Sequence, residues 1–123
     1  MNIIKRFLKS LRNALRGVLT AFKEENSFRI QLAVSLVVGV LIFLLPLRRW
    51  ERSLLVLAIG AVLVLELLNS IVERFVDMVK PRMHDYVRQI KDLSAAAVLI
   101  TALTALVLAI IIFWPYMYLL VRI

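Results

Sequence analysis

Apolar residues gather into three long runs, each near the roughly 20 residues that a helix needs to cross a bilayer. The first occupies 30–47 and is broken by Gln31, Ser35 and Gly39. The second occupies 54–72 and holds Glu66, Asn69 and Ser70 within it. The third occupies 93–118 and contains no charged residue. Pro46, Arg48 and Arg49 close the first run, and Ser53 opens the second. Trp50, Trp114, Tyr116 and Tyr118 fall at run ends, where amphipathic rings favour the headgroup layer. The opening residues follow another pattern. Ile4, Leu8, Leu11, Leu15, Val18 and Phe22 recur at helical spacing on one face, with Lys5, Lys9, Arg12 and Arg16 opposite. That pattern predicts an amphipathic helix over 1–28 lying in the interface with its basic side in water. A plain membrane anchor and a lid over a site both fit it. A cleaved signal peptide would need a continuous apolar core and small residues at a cleavage site, and this segment has neither. The expected fold is an all-α membrane protein, one domain over 1–123, with a surface helix and three transmembrane helices.

Composition narrows the functions this scaffold can serve. The chain has 123 residues, 63% of them hydrophobic, and no cysteine. The lack of cysteine excludes a disulfide framework and a thiolate metal site. A net charge of +8 on so apolar a chain points to anionic lipid or a phosphorylated ligand rather than to nucleic acid. The charge is also uneven. Seven Lys and Arg precede the first run and five (Arg74, Lys80, Arg82, Arg88, Lys91) lie between the second and third. Arg48, Arg49 and Arg52 lie between the first and second runs, and Arg122 follows the third. The positive-inside rule therefore puts the N-terminus and second loop in the cytoplasm and the C-terminus outside.

The second run carries the candidate chemistry. At about 100° per residue, Asn69, Glu73, Asp77 and Lys80 fall within about 60° of Glu66. Ser70 and Arg74 lie on the flank of the same stripe. An ionisable group inside hydrocarbon is costly, and such groups usually face a bundle interior or aqueous cavity and serve a function. Glu66 is the deepest acid and the candidate general base for an alcohol. Glu73 and Asp77, nearer the water, suit a hard divalent cation that takes oxygen ligands and shares them with substrate phosphates. A polar seam joining helices would explain Asn69 and Ser70 alone; three carboxylates on one stripe fit that reading poorly.

Around the stripe stand complementary charges. Lys91 and Asp92 directly precede the third run, with Arg82, His84 and Arg88 before them. Cations beside acids at a membrane surface suit a polyphosphate, although loops on the cytoplasmic side are basic in any case. Glu24 and Glu25 are the only acids before the first run, which makes them candidates for a second metal carboxylate. Glycine stands only at 17, 39 and 60, so no phosphate-cradling glycine loop exists. A nucleotide would have to be held by side chains and metal.

The run Glu66-Leu67-Leu68-Asn69-Ser70-Ile71-Val72-Glu73, with Val76-Asp77 and then Lys91-Asp92-Leu93-Ser94-Ala95-Ala96-Ala97-Val98-Leu99, resembles the prokaryotic diacylglycerol kinase family. Ala21-Phe22-Lys23-Glu24-Glu25 and Phe28-Arg29 resemble that family's pre-membrane segment, and the likeness extends from about Phe7 to Phe113. It implies a homotrimer of three-span subunits, with active sites between subunits, that phosphorylates a membrane-dissolved lipid alcohol with ATP and Mg²⁺. It implies Glu66 as general base with Asn69 its neighbour, and Glu25 and Glu73 as metal carboxylates. Lys91 and Asp92 would contact nucleotide phosphates; Arg6, Asn13 and the loop around His84 would add weaker nucleotide or lipid contacts. The family includes undecaprenol kinases. Ala21 to Glu25 and the Ile111-Ile112-Phe113-Trp114-Pro115 end lean toward them, while Phe28-Arg29 and Ser94 to Ala97 fit the diacylglycerol enzymes equally. Three positions depart from the family pattern. Ile71-Val72 stands for Ala-Ile, placing bulk at an expected packed position. Pro81-Arg82-Met83-His84 replaces a more acidic stretch, and Asn13 stands where some members carry an aromatic residue.

The resulting expectation is a lipid kinase of the bacterial inner membrane. Its rivals are a small ion or proton conduit using the same intramembrane acids without ATP, and an inactive structural relative.

Overall fold

The computed structural model describes residues 2–79 and 84–122, apart from the His84 side chain, and among them the regular structure is helical throughout. Helix α1 spans Ile3–Glu24 and starts at Asn2, whose Oδ1 accepts the Ile4 N–H at 2.7 Å and so satisfies one of the open donors of the first turn. It stops at Glu25, whose backbone is extended while its N–H still donates to the Ala21 carbonyl at 2.8 Å. Helix α2, Asn26–Leu44, begins at the next residue. Glu25 is thus the whole elbow between the two helices. Arg29, one turn into α2, reaches back with Nη1 to the Phe22 and Lys23 carbonyls, each at 3.1 Å. These are carbonyls that the last turn of a helix cannot satisfy itself, and a cation beside them is favoured.

Helix α2 ends at Leu45, extended ahead of Pro46, because the residue before a proline is pushed out of the helical region. Helix α3 then runs 31 residues, Arg49–Val79, and α4 runs 30, His84–Phe113. A 3₁₀ turn, Trp114–Tyr116, with Pro115 inside it, leads to a short α5, Met117–Val121. Helices α2 and α3, and the stretch from Asp85 through Val121, are long and apolar enough to cross a membrane. At about 1.5 Å per residue α3 is about 46 Å long, well beyond a hydrocarbon core of about 30 Å. The polar end of α3, from Glu73 to Asp77, therefore has length to spare for the interface.

The packed core of the single chain lies at the far end of the bundle from that polar end. Ile42, Leu45 and Leu47 from the α2–α3 turn close on Leu55 and on Ile112 of α4. Glu51 closes the same corner from within. Its Oε1 accepts the Arg48 N–H at 2.8 Å and the Tyr116 hydroxyl at 2.7 Å, so one buried carboxylate caps α3 and ties it to the end of the third span. Elsewhere the spans leave broad apolar faces bare, among them Phe43, Leu57, Phe75 and Ile111. Ile71 belongs to these faces. The sequence suggested a packed position, but within one chain it is 60% exposed, because the turn of α3 that carries it faces a groove of about 480 Å³ lined by Ala14, Gly17 and Val18 of α1.

Candidate active site

The polar stripe of α3 occupies one continuous face that looks toward α1, α2 and the first turns of α4. Glu66 is buried. Ser70, one turn on, donates its hydroxyl to the Glu66 carbonyl at 3.1 Å. From α2, Gln31 presents its side chain to the Glu66 carboxyl as a hydrogen-bonding partner, while Glu25 and Glu73 both lie close enough to act on that carboxyl electrostatically. Glu25, from the elbow, therefore faces the same stretch of α3 that carries Glu66 and, two turns on, Glu73. Gln31 also lines a cavity of about 280 Å³ between α2, α3 and α4, walled by Leu55, Val62, Ala102 and Ala109.

Asn69 is fixed from both ends. Its Nδ2 donates to Glu73 Oε1 at 3.2 Å, and its Oδ1 accepts the Ser94 hydroxyl of α4 at 2.7 Å. Because Ser94 donates, the amide oxygen must face α4, and the amide nitrogen is left for Glu73. Further along, Lys91 of α4 pairs with Asp77 at 2.7 Å. Both ties join α3 to α4 at the polar end, as Glu51 and Tyr116 join α3 to the 3₁₀ turn after α4 at the other.

The acids of the elbow are engaged as well. Arg74 places Nη2 at 2.6 Å from Glu24 Oε2 and Nη1 at 2.9 Å from Glu25 Oε1. Asp92 is exposed beside Lys91 on α4. Arg6 and Asn13 are exposed on α1, about 28 Å and about 18 Å along its axis from Glu25. Within one chain, then, Glu66, Asn69 and Glu73 share one face of α3 with Glu25 turned toward it, whereas Arg6 and Asn13 stand apart from them. Lys80, Arg82 and the His84 side chain lie outside the described residues.

Gln31, Arg74 and Ser94 contact candidate residues although no sequence pattern assigns them a role. A signal existed for Gln31, since an amide inside a membrane run needs a partner. Arg74 and Ser94 gave less, because a basic loop end and a serine near a span edge are common.

Fold and site together define a multi-span membrane protein with an acid-lined site at one end of its helix bundle. A family model described as prokaryotic diacylglycerol kinase matches residues 12–113. The chain is 32% identical over 114 residues to the undecaprenol kinase of Bacillus subtilis strain 168, covering 93% of each. It is 36% identical over 94 residues to a diacylglycerol kinase of Pseudomonas aeruginosa, covering 76% of each. The diacylglycerol kinase of Escherichia coli K12 is 29% identical over 111 residues, 90% of this chain and 91% of that relative. The chain belongs to the prokaryotic diacylglycerol kinase family and is a membrane lipid kinase.

Proposed function

We propose that the protein transfers the γ-phosphate of ATP to the hydroxyl of a long-chain lipid alcohol, diacylglycerol or undecaprenol, at the cytoplasmic face of a bacterial inner membrane. The observation that carries this reading is the stripe on α3 that holds the buried Glu66 and, two turns on, Glu73 with Asn69 hydrogen-bonded to it, faced by Glu25 from the elbow. Glu66 accepts the hydroxyl proton as the alcohol oxygen forms its bond to the γ-phosphorus and the bond to the ADP oxygen breaks. Burial suits that role, because the base meets an alcohol dissolved in lipid. Asn69 holds Glu73 in place. Lys91, poised on Asp77, can exchange that carboxylate for a phosphate oxygen, with Asp92 beside it at the nucleotide.

Among the described residues no three metal-ligating side chains form a cluster. Two carboxylates are still a fitting donor set for Mg²⁺, which keeps several waters and takes phosphate oxygens as ligands. Glu25 and Glu73 would hold it, and when bound it neutralises charge on the transferring phosphoryl group. Two further readings complete the proposal. The helix α1 lies in the interface with its basic face in water, and the bare apolar faces of the spans meet in a homotrimer. The distribution of Lys and Arg puts the polar end inside the cell and the C-terminus outside.

The test is transfer of radiolabelled phosphate from ATP in mixed micelles offering diacylglycerol, undecaprenol and ceramide in parallel, with and without Mg²⁺. Mg²⁺-dependent labelling of diacylglycerol or undecaprenol is expected. Folded protein that labels none of the three would defeat the reading.

A further inference from the structure

We propose that Arg74 is a positioning residue for this site: forked between Glu24 and Glu25, it fixes the elbow of α1 and α2 on α3 and so sets the placement of the Glu25 carboxylate. The inference rests on the reading of Glu25 as a metal carboxylate. It starts from the chain's geometry. Glu25 is the single non-helical residue between two long helices, so two soft backbone dihedrals set the angle between them, and its rotatable side chain needs a separate anchor to hold the carboxylate in place. Arg29 holds α1 to α2 across that elbow through the Phe22 and Lys23 carbonyls. This holds the two helices to each other, while α2 packs on α3 further along through the core around Ile42 and Leu55. Arg74 adds a constraint at the elbow itself, reaching from α3 to Glu24 at 2.6 Å and Glu25 at 2.9 Å with separate nitrogens of one planar group.

Charge and exposure both favour positioning over other roles. A lone guanidinium beside a cation site would repel the cation. Here Glu24 balances Arg74, and the charge of Glu25 remains for the metal. Arg74 and Glu24 are 47% and 59% exposed, and exposed pairs contribute about 0–1 kcal/mol to stability. The fork therefore does little to hold the protein together, and its consequence is geometric. Lysine, a point charge on a flexible stem, cannot reach both acids with the same fixed fork.

The experiment uses the full chain in lipid micelles and two readouts that require no lipid turnover. One is hydrogen exchange of the amides from Ala21 to Arg29. The other is Mn²⁺ affinity in the presence of a non-hydrolysable ATP analogue. Arg74→Ala should speed exchange at the elbow and weaken Mn²⁺ binding about tenfold, the low end of losses for residues that orient metal ligands. The KM for Mg-ATP should rise to match while kcat at saturating metal stays within about twofold. Glu24→Gln reads the same contact from its other end and should show the same changes in smaller measure. Arg74→Lys should restore part of the affinity, and exchanging the charges (Arg74→Glu with Glu24→Arg) should restore slow exchange. Unaltered exchange and Mn²⁺ affinity in both Arg74→Ala and Glu24→Gln would overturn the proposal. So would a collapse of kcat with Mn²⁺ affinity intact, which would make Arg74 a catalytic residue. Absence of lipid phosphorylation by the unaltered protein would instead defeat the kinase reading, since exchange and Mn²⁺ binding are scored without it.

Discussion

Glu66 and Glu73 lie two turns apart on one face of α3, and their surroundings give them different work. Glu66 is buried against Gln31, whereas Glu73 is half-buried and accepts the Asn69 amide. Glu66→Gln keeps size and hydrogen bonding while removing basicity, and loss of a general base costs about 10²–10⁴-fold in rate. Turnover is therefore expected to collapse with Mg-ATP affinity near normal, as turnover and nucleotide titration would show. Glu73→Gln is expected to lower apparent Mg-ATP affinity and rate together, with partial recovery at raised Mg²⁺. Equal losses in both variants, indifferent to Mg²⁺ and matched by lower melting temperatures, would reduce the stripe to structural glue. Ser94→Ala tests the tie behind Glu73. Without the Ser94 hydroxyl the Asn69 side chain keeps only its bond to Glu73 and is held less firmly. Losing a hydrogen bond of about 0.5–1.5 kcal/mol corresponds to a rate loss of up to about tenfold, and Ser94→Thr, which retains the hydroxyl, should recover most of it.

At the scale of elements, α3 is fastened to the third span at both ends by polar groups, with Ser94 and Lys91 of α4 at one and Tyr116 of the 3₁₀ turn at the other. Tyr116→Phe leaves Glu51 buried with one hydrogen bond fewer. A lower melting temperature is expected, with turnover per folded molecule unchanged, since Tyr116 lies at the opposite end from Glu66. A fall in turnover without loss of stability would show the two ends to be coupled. The elements themselves were legible from the sequence because bilayer length and apolar runs are strong signals. The stripe was legible because helical periodicity puts Glu66, Asn69, Glu73 and Asp77 on one face. The clasp at Glu51 was not, since a carboxylate beside three arginines in a short loop reads as solvated. Nor was the fork at Arg74, which joins residues 49 and 50 positions apart, a separation that no local pattern encodes. The first expected span also ran to Leu47, whereas α2 ends at Leu44. Apolar character continues past the helix there because Leu45 and Leu47 fold inward to fill the corner of the core.

For the whole molecule, the bare flanks of the spans and a polar stripe that one chain cannot enclose lead to the expectation of an obligate oligomer. Chemical cross-linking and light scattering in mild detergent should find assembled protein, and activity should fall with dilution into excess detergent. A monodisperse monomer with full activity would contradict it. The length of α3 has a further consequence. A rigid rod of about 46 Å that carries its deepest acid 17 residues into its 31 is a depth gauge for the membrane around it. Lipid tails of different length meet that rod at different heights, and the mismatch is relieved by tilt or by local thinning at a modest cost per ångström. In short-tailed bilayers Glu66 would sit nearer the headgroups and admit water. In long-tailed ones the hydroxyl of the substrate would ride above or below it. Phosphorylation rates measured across vesicles of graded acyl length are thus expected to pass through a maximum, so that the thickness of the membrane itself governs how fast its lipids are phosphorylated.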